Sequence, residues 1–350
     1  MSKPLRAAVV SAGSWSQSSH LPALAAHPDV ELVALSSPNE ATAKSLAAAF
    51  GVPLAFTDWR DVLAQKPDVV VVSSPPVAHE EQVIAALEAG AHVLVEKPFA
   101  LEAGAASRMR DTATRVGRIL LVGFGWPAAP CFALSKALID AGEIGRIEHL
   151  TMHLAVNTRA LLLGGTDGGW GGDGNSAAST YTDRNISGGG SAAVSMSHQL
   201  GLIEWLAGEP IVAVSASTYP PGREIDLHAS VNAEFAGGGM AAISSASTHP
   251  YLARPQWHLA LYGDKGQIWL DSIADHVRLV RANGDVVEYG EAEASGLYDS
   301  GAPTRTLIEC ALGAPAPTGL TATLAAHVVA VTDAIYESAR TGQTIRIPTA

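Results

Sequence analysis

The first 124 residues alternate short apolar runs with segments of helical period. The apolar runs are 5–10, 30–37, 67–76, 91–98 and 118–124, and the helical segments are 20–26, 39–51, 58–65, 79–90 and 102–117. Continuous β-branched runs such as Val69–Val72 are typical of strands buried on both faces. The alternation therefore predicts an α/β domain with a doubly wound parallel sheet.

Beyond about residue 126 the apolar positions alternate with period two. The segments are 146–156, 211–218, 226–235, 240–248, 256–263, 267–271 and 276–289. Asn283-Gly284 interrupts the last segment as a tight hairpin turn does. Closely spaced strands predict a mostly antiparallel open sheet, with sparse helices at 197–207 and 321–340.

These two patterns divide the chain into two domains, 1–124 and 125–350, the second an α+β domain for substrate binding and oligomerisation. An open sheet face in a soluble protein often becomes an oligomer interface. We therefore expect a homodimer or homotetramer formed through the C-terminal sheet.

The composition excludes several classes of partner. Of the 350 residues 47% are hydrophobic and 16% are charged, and the formal net charge is −12. An acidic surface argues against nucleic acid and anionic membranes. Cys131 and Cys310 make neither a disulfide framework nor a zinc motif, so we expect no metal. The N-terminal apolar run is too short for a signal peptide, and glycine and proline break the uncharged stretch 119–135, so we expect a cytoplasmic protein.

The segment VVSAGSWSQSSH, residues 9–20, leads from the first strand into the first helix. There a dinucleotide-binding domain carries Gly-x-Gly-x-x-Gly, whose glycines let the backbone approach a pyrophosphate. Gly13 occupies one glycine position, Ser11 the first, and Ser16 lies near the third. Serine replaces glycine where φ is negative, and its hydroxyl adds a donor. The segment alone fits either a nucleotide-binding turn or an ordinary strand-to-helix turn.

The segment AHVLVEKPFA places two charges at the end of a buried strand. Glu96 and Lys97 follow the apolar run, and Pro98 ends it. Ligands bind outside the carboxyl ends of strands in parallel sheets. A lysine partly removed from water loses some of its preference for protonation, so it can exchange a proton with a substrate oxygen. The alternative is a salt-bridged pair without chemistry.

The stretch 161–179 is dense in glycine and holds one aromatic residue, Trp170. It fits either a flexible surface loop or a mobile lid with Trp170 as an apolar plug. His198 follows another glycine run and begins a helix, where it fits a site residue or a hydrogen-bonded structural histidine. His149 and His153 lie in a strand pattern, so their spacing does not make a helical metal pair.

Together these features resemble the Gfo/Idh/MocA oxidoreductases. The motifs are SSPPVAH after the central strand, EKP after the next strand, and GGG followed by histidine in the second domain. The segments LVGFGW, IDAGEIGRI, LYGDKGQIWLD and AIYESARTGQTIRI occur in the family's order, so the resemblance covers nearly the whole chain. The turn SWSQSSHLPAL is similar to the family's cofactor turn, with a tryptophan and one extra residue before the histidine. The resemblance implies an N-terminal Rossmann domain that binds NAD or NADP.

The resemblance also implies roles for single residues. Lys97 takes the position of the catalytic acid/base, and His198 that of the substrate-site histidine. Trp126 and Trp170 are further substrate-binding candidates. The cofactor-binding candidates are Ser11, Gly13, Ser14, Trp15, Ser36, Ser37, Ser74, Pro75, His79, Glu96 and Lys97. Of these, Glu96 would lie near the nicotinamide ribose.

Three departures from the family pattern put the substrate in question. Val194 stands where many members have aspartate, Met196 where glycine is frequent, and Gly125-Trp126-Pro127 where many have Asn-Trp-Arg. These changes remove polar contacts expected for a sugar-like substrate.

The choice between NAD and NADP rests on the end of the second strand. This strand ends Ser36-Ser37-Pro38-Asn39, without the acid that an NAD-type domain uses for the ribose hydroxyls. No carboxylate there repels a 2′-phosphate, and Lys44 is near in sequence. The pattern slightly favours NADP.

The sequence therefore predicts an NAD(P)-dependent dehydrogenase or reductase acting on CH–OH groups. Hydride would move between the nicotinamide ring and a carbon of a sugar, inositol or similar small polyol, while Lys97 exchanges the hydroxyl proton. Two alternatives stay open. One is a cofactor-binding sensor with weakened chemistry, supported by Val194 and Pro127, and the other is a lyase or hydrolase using a tightly held NAD.

Overall fold

The computed structural model describes residues 3–165, 180–250, 253–290 and 298–348. The chain forms two compact units. The first comprises 1–125 and 300–326, and the second comprises 126–299 and 327–350. The first unit thus includes a segment from late in the chain, whereas the sequence interpretation assigned all of 125–350 to one domain.

The first unit is built on a parallel sheet in the order β3-β2-β1-β4-β5-β6. Its strands are β1 Leu5–Val10, β2 Val30–Ser36, β3 Leu54–Phe56, β4 Val69–Val72, β5 His92–Val95 and β6 Leu120–Val122. All of these pairings are parallel, as the alternating pattern predicts. Only the short strand β3 was not predicted. Because the strand order reverses between β1 and β4, ligands are expected at the carboxyl ends of these two strands.

The helices of the described residues follow in chain order. They are α1 Leu21–Ala25, α2 Glu40–Phe50, α3 Trp59–Leu63, α4 His79–Glu88, α5 Ala103–Val116, α6 Pro130–Asp140, α7 Arg159–Leu163, α8 Arg184–Ser187, α9 Ser191–Val194, α10 Met196–Ala207, α11 Ala302–Ala311 and α12 Ala322–Thr341. The expectation of sparse helices beyond residue 126 is wrong for α6 and α11. Both begin with an early proline and hold apolar residues without a long periodic run, so neither gave a clear helical signal.

The segment 300–326 belongs to the first unit because α11 supplies part of the hydrophobic core of that unit. Helices α1, α2 and α11 bury apolar side chains against one face of the parallel sheet, among them Leu24, Leu46 and Leu307. Helix α11 contacts β4 and β5, whereas α4 packs against these strands and against α5. Burial of this kind contributes about 25 cal/mol per Å² of apolar surface, so α11 is a structural part of this unit.

The second unit is built on a mixed sheet in the order β14-β13-β12-β11-β7-β10-β9-β8-β15. Its strands are β7 Ile147–Ala155, β8 Ile211–Tyr219, β9 His228–Phe235, β10 Met240–Ala246, β11 Gln256–Gly263, β12 Gly266–Asp271, β13 His276–Arg281, β14 Val286–Tyr289 and β15 Ile345–Arg346. The pair β7–β10 is parallel and the other pairings are antiparallel. The predicted hairpin at Asn283-Gly284 joins β13 to β14, and the prediction of a mostly antiparallel sheet is confirmed.

One face of this sheet carries exposed aromatic side chains. Cross-strand pairing places Tyr219, Met240, Tyr262 and Trp269 on the same face, and each of them is more than a third exposed. We call this surface the open face. Along β9 the buried and exposed residues alternate, as the period-two pattern predicts.

Among the described helices, none is both long and apolar enough to cross a membrane. The cytoplasmic location expected from the sequence stays a prediction.

Candidate active site

The predicted cofactor residues of the first unit lie where its strands end. Ser11 follows β1, Ser37 follows β2, Ser74 lies just beyond β4, and Glu96 follows β5. Parallel strands end at the same edge of a sheet, so these residues share the carboxyl edge. The sequence interpretation used this argument for Glu96 and Lys97, whereas Ser74 was predicted from the family resemblance.

The turn after β1 is fixed to the end of β2. The Ser11 amide donates to the Ser36 hydroxyl at 3.1 Å, and the Ala12 amide donates to the Ser36 carbonyl at 2.6 Å. The Gln82 side-chain amide donates to the Ser11 hydroxyl at 3.3 Å. The Ser36 hydroxyl thus faces the turn.

The expectation that serine replaces glycine at a negative φ is wrong for Ser11. Its φ is +58°, in the left-handed region. This conformation costs a non-glycine residue roughly 1–2 kcal/mol. The hydrogen bonds to Ser36 and Gln82 offset part of that cost, which explains how the position tolerates a side chain.

Gly13 faces open space within the protein. A Cβ atom built there meets no heavy atom within 4 Å, and its φ lies outside the left-handed region. The protein fold itself therefore does not require glycine at this position. Close approach of a ligand to the backbone is the remaining physical reason for glycine, as in dinucleotide-binding turns. Ser14, the next residue, is exposed and begins the helical run.

The extra residue before His20 is accommodated in a π-helical turn, Ser16–His20, which continues directly into α1. A π turn holds one more residue than an α turn, and such turns are frequent at functional sites. The wider turn brings Trp15 and His20 to the same carboxylate, that of Glu96.

Glu96 is buried, with 8% of its surface exposed. The Trp15 indole N–H donates to its Oε1 at 2.8 Å, and the His20 Nε2 lies 3.1 Å from the same oxygen. The Lys97 amide donates to its Oε2 at 3.1 Å. Burial alone raises the pKa of Glu96, but the contacts with His20, Lys97 and Trp15 outweigh it and lower the pKa to about 2. Glu96 is therefore an anion at any physiological pH.

Lys97 is partly buried beside this anion, and its peptide bond to Pro98 is cis. Burial lowers the pKa of the Lys97 ammonium, and the charge of Glu96 opposes that effect. The amine therefore releases its proton more readily than an exposed lysine does. This is the property that a general acid/base requires near neutral pH.

Of the three predicted cofactor residues in the SSPPVAH motif, one is exposed and two are buried. Pro75 is exposed, Ser74 is buried, and His79 has no exposed surface. The His79 ring nitrogens lie 2.8 Å from the Ser74 carbonyl and 3.2 Å from the Phe99 carbonyl. Burial lowers the pKa of His79, although these carbonyls oppose it. The structure thus places His79 beneath two loops that it joins, not on the surface expected for a cofactor ligand.

Two buried polar atoms near the turn support a ligand site. Within the described residues, neither the Ser74 hydroxyl nor the Gln82 side-chain carbonyl has a hydrogen-bond partner. Buried polar groups are usually satisfied, so such atoms invite a polar ligand or water. Together with the space at Gly13, they fit a dinucleotide at this edge.

The residues after β2 do not form an evident phosphate site. Ser37 is buried, and the Asn39 side chain caps α2 by accepting from the Thr42 amide. Lys44 pairs with Glu40 at 2.6 Å in an exposed ion pair. The preference for NADP that rested on Lys44 stays a prediction without further support.

The remaining site candidates belong to the second unit. His198 is partly buried near the start of α10. Trp126 lies in an aromatic cluster, with its ring centroid 4.2 Å from that of Trp257 and 4.6 Å from that of Tyr298. Trp170, and the lid interpretation attached to it, lie outside the described residues.

The family departures near His198 are filled by apolar packing. Val194 is 4% exposed and packs with Leu162 and Leu227, and Met196 is fully buried. A carboxylate at 194 would have to enter this cluster. Valine at position 194 therefore suits its apolar surroundings.

A second buried carboxylate, Asp226, holds the glycine run before His198. Its Oδ1 accepts from the Tyr336 hydroxyl at 2.7 Å and from the Gly190 amide at 3.2 Å, and its Oδ2 accepts from the Ala192 amide at 2.9 Å. Burial raises the pKa of Asp226, against these hydrogen bonds. Sequence reasoning missed both residues: Asp226 lies in no recognised motif, and Tyr336 lies in the segment AIYESARTGQTIRI, which was used only for the family resemblance.

Sequence reasoning also left His20 and Gln82 out of the site. His20 is fully buried, and its Nδ1 lies 2.8 Å from the Thr304 hydroxyl on α11. The extra residue before His20 was a visible signal, whereas Gln82 gave none. In the described part of the chain, no group of three histidine, cysteine or acidic side chains could hold a metal ion.

Two family models match this chain. The model described as the oxidoreductase family with an NAD-binding Rossmann fold matches residues 5–124. The model of the GFO/IDH/MocA C-terminal domain matches residues 132–269.

Two curated relatives show similarity over part of their length. The D-glucoside 3-dehydrogenase of Escherichia coli is 33% identical over 220 residues, which are 62% of this chain and 58% of that protein. The levoglucosan dehydrogenase of Pseudarthrobacter phenanthrenivorans is 32% identical over 191 residues, 53% of this chain and 45% of that protein. The match thus spans about half the length of these relatives.

The fold matches solved structures over nearly its whole length. The WlbA dehydrogenase from Bordetella pertussis, in complex with NADH and UDP-GlcNAcA, is 26% identical with a TM-score of 0.80. The match covers 99% of this chain and 100% of that one. The first family model covers the strands of the parallel sheet, and the second covers β7 to most of β12 in the mixed sheet. The chain therefore belongs to the Gfo/Idh/MocA oxidoreductase family.

Proposed function

We propose that this protein is a nicotinamide-dependent oxidoreductase that moves hydride to or from a carbinol or carbonyl carbon of a sugar-like substrate. The observation that carries the proposal is the position of Lys97. It follows a buried, ionised carboxylate at the carboxyl edge of the sheet, the edge that also holds the open turn at Gly13. When bound, the nicotinamide ring supplies the site that donates or accepts hydride.

The residues of the first unit would hold the dinucleotide. The backbone of Gly13, Ser14 and Trp15 would lie along the pyrophosphate, because this segment opens the helical run and leaves room at Gly13. Ser74 and Pro75 would line the groove beyond β4. The family model and the NADH complex of the structural relative favour NAD.

Lys97 would exchange the proton of the reacting hydroxyl. Burial makes its ammonium a better acid than that of an exposed lysine, so the side chain moves between its two protonation states with less cost. His198 would position the same oxygen or assist the transfer, a role taken from the family resemblance. Proton transfer of this kind contributes about 10²–10⁴-fold to the rate.

The proposed substrate class is a pyranose, inositol or related polyol. The named relatives act on a D-glucoside and on levoglucosan. The aromatic cluster at Trp126 favours a substrate with an apolar face over a highly charged one. Trp170 remains a candidate contact.

A turnover screen tests the proposal. The purified protein is mixed with NAD⁺ or NADP⁺ and a panel of pyranosides, inositols and sugar acids, and the near-ultraviolet absorbance of reduced nicotinamide is followed. We expect turnover with at least one substrate, and the ratio of kcat/KM values decides between the cofactors. Binding of a dinucleotide without any turnover would favour the sensor hypothesis, and absence of binding would contradict the proposal.

The same protein is proposed to self-associate through the open face. Tyrosine, tryptophan and methionine are enriched at protein interfaces, and Tyr219, Met240, Tyr262 and Trp269 supply them here. The substitution Trp269→Glu should lower the molar mass measured by light scattering, whereas Leu312→Glu, an exposed apolar residue on the first unit, should leave it unchanged. An unchanged mass for Trp269→Glu, or a monomeric wild type, would contradict self-association through this face.

A further inference from the structure

We propose that Glu96 is a positioning residue, held by Trp15 and His20, whose charge controls the protonation of Lys97, and that it is not a ligand of the cofactor ribose. The inference rests on the proposed function, because it assigns Lys97 the proton transfer. It differs from the role implied by the family resemblance, in which Glu96 lies near the ribose.

The Glu96 carboxylate has both oxygens engaged by the protein. Oε1 accepts from the Trp15 indole and lies 3.1 Å from the His20 imidazole, while Oε2 accepts from the Lys97 amide. Only 8% of the residue is exposed. Each oxygen therefore already has a donor or cation from the protein, and little of the residue's surface is left for ribose hydroxyls to reach.

The surroundings of the carboxylate are shaped to hold it in one place. At Gly123, just beyond β6, an added Cβ would lie 2.7 Å from the Glu96 Oε1, so only glycine leaves the carboxylate its space. His20 is itself fixed by Thr304 from α11. Segments after β1, β5 and β6 therefore surround one side chain, and helix α11 holds one of its partners, His20. Such convergence is expected for a group whose orientation matters.

The charges around Glu96 keep it ionised. The ionisable groups near it are His20 from the π turn, Lys97 from its own strand end, and His79 from α4. The Trp15 indole adds a neutral donor, and Gly123 adds none. No acidic neighbour competes for protons among the causes that set its pKa. Glu96 therefore presents a constant negative charge to Lys97 over the working pH range.

This constant charge sets the pH at which Lys97 titrates. An anion beside an ammonium favours the charged form, and burial disfavours it. Replacing Glu96 by a neutral isostere removes the first effect and leaves the second. The pKa of Lys97 should therefore fall, so that the amine is neutral at a lower pH.

The test is a titration of Lys97 that does not require turnover. Protein labelled with ¹³C at the lysine ε carbons is titrated by NMR, and Lys97→Arg identifies the resonance. In Glu96→Gln we expect the midpoint for Lys97 to fall by about 1–3 pH units, the usual effect of a close opposite charge. The matched control is Glu80→Gln, because Glu80 is paired with Arg108 away from the turn and should leave the midpoint unchanged.

Cofactor binding separates this role from ribose contact. By calorimetry, Glu96→Gln should bind NAD⁺ within about threefold of wild type, since its carboxylate does not touch the ribose. The same midpoint in wild type and Glu96→Gln would overturn the inference, and so would a loss of NAD⁺ affinity of about tenfold or more, which is about 1.4 kcal/mol.

A second variant covers the case in which Glu96→Gln does not fold. Gly123→Ala keeps the carboxylate but displaces it, so the Lys97 midpoint should shift, and an unchanged midpoint would overturn the inference. If wild type neither binds NAD⁺ nor turns over, the proposed function fails, whereas the titration still decides whether Glu96 controls Lys97.

Discussion

In each unit of the molecule a turn contacts a buried carboxylate. The groups that contact the two carboxylates differ. In the first unit, Glu96 accepts from the Trp15 indole and the Lys97 backbone amide and lies 3.1 Å from the His20 imidazole, and the charge of the Lys97 ammonium also lowers its pKa. In the second, the donors to Asp226 that the described residues supply are neutral, among them the Tyr336 hydroxyl and the backbone amides of Gly190 and Ala192. The pKa of Glu96 is lowered to about 2, whereas burial raises that of Asp226.

The glycines of the two turns also differ, in the free space around each. Gly13 faces open space, while a Cβ atom at Gly190 would overlap the backbone nitrogen and oxygen of Asp226. The first turn therefore leaves room for a ligand and keeps a charge beside it. The second is closed by the protein itself and fixes the chain before His198. Glycine in a motif thus has two distinct uses, and the space around it tells them apart.

The largest predicted loss of folding stability comes from Gly190→Ala. The added methyl group meets backbone atoms that cannot rotate away, so we expect the free energy of unfolding to fall by about 3 kcal/mol or more. Gly208→Ala is the control, because its Cβ would meet no atom within 4 Å and only its left-handed φ of +72° is strained. That change should cost about 1 kcal/mol. If the two variants had equal free energies of unfolding in urea, the claim that the protein itself closes the space at Gly190 would be contradicted.

The second effect is the pH dependence of stability. The folded pKa of Glu96 lies below its ordinary value of 4.5, so its contribution is present above that pH and is lost as the pH falls toward about 2. The loss is on the order of 3 kcal/mol. The raised pKa of Asp226 acts in the opposite direction, because ionisation becomes costly as the pH rises through it.

The variant Glu96→Gln isolates the first of these two carboxylates. Urea unfolding of wild type and variant at about pH 5 and about pH 3 should show a shallower decline in the variant. A parallel decline would mean that Glu96 has an ordinary pKa, and the contrast with Asp226 would be lost.

The smallest effect on the fold should come from Gly13→Ala. Because the methyl group meets no protein atom, stability should stay within about 1 kcal/mol of wild type and is expected to rise slightly. NAD⁺ affinity should fall by about tenfold or more, about 1.4 kcal/mol. Thermal unfolding and calorimetry measure the two quantities on the same sample. Unchanged affinity would show that the open space at Gly13 does not receive the dinucleotide.

The sequence predicted the parts of the site that local pattern determines. Apolar runs located the strands, so the pattern placed Ser11 after the first strand and Glu96 at the end of another, where ligands bind in parallel sheets. Ser74 was predicted only from the family resemblance. The EKP motif singled out Lys97 in the same way. The parallel sheet follows from continuous apolar runs between helical segments, and the second sheet and its Asn283-Gly284 hairpin follow from a period of two and from turn chemistry.

The sequence did not predict contacts between distant residues. The bond from Trp15 to Glu96 spans 81 residues, and the contact of His20 with Thr304 spans 284. The first pairing depends on how the turn after β1 meets the end of β5, and the second on how α11 returns to the first sheet; no local pattern encodes either. The left-handed backbone of Ser11 was also missed. A serine at a glycine position predicts a negative φ, and the hydrogen bonds that stabilise a positive φ are not visible in the sequence.

Hydride transfer that depends on Lys97 is the central claim, and one rapid-mixing measurement tests it most directly. Wild type and Lys97→Ala are mixed with saturating NAD⁺ and the best substrate from the turnover screen, and the first appearance of reduced nicotinamide is timed. The account predicts a rate at least about 100-fold lower in Lys97→Ala, with NAD⁺ affinity within a few fold of wild type. Equal rates in the two proteins would contradict it.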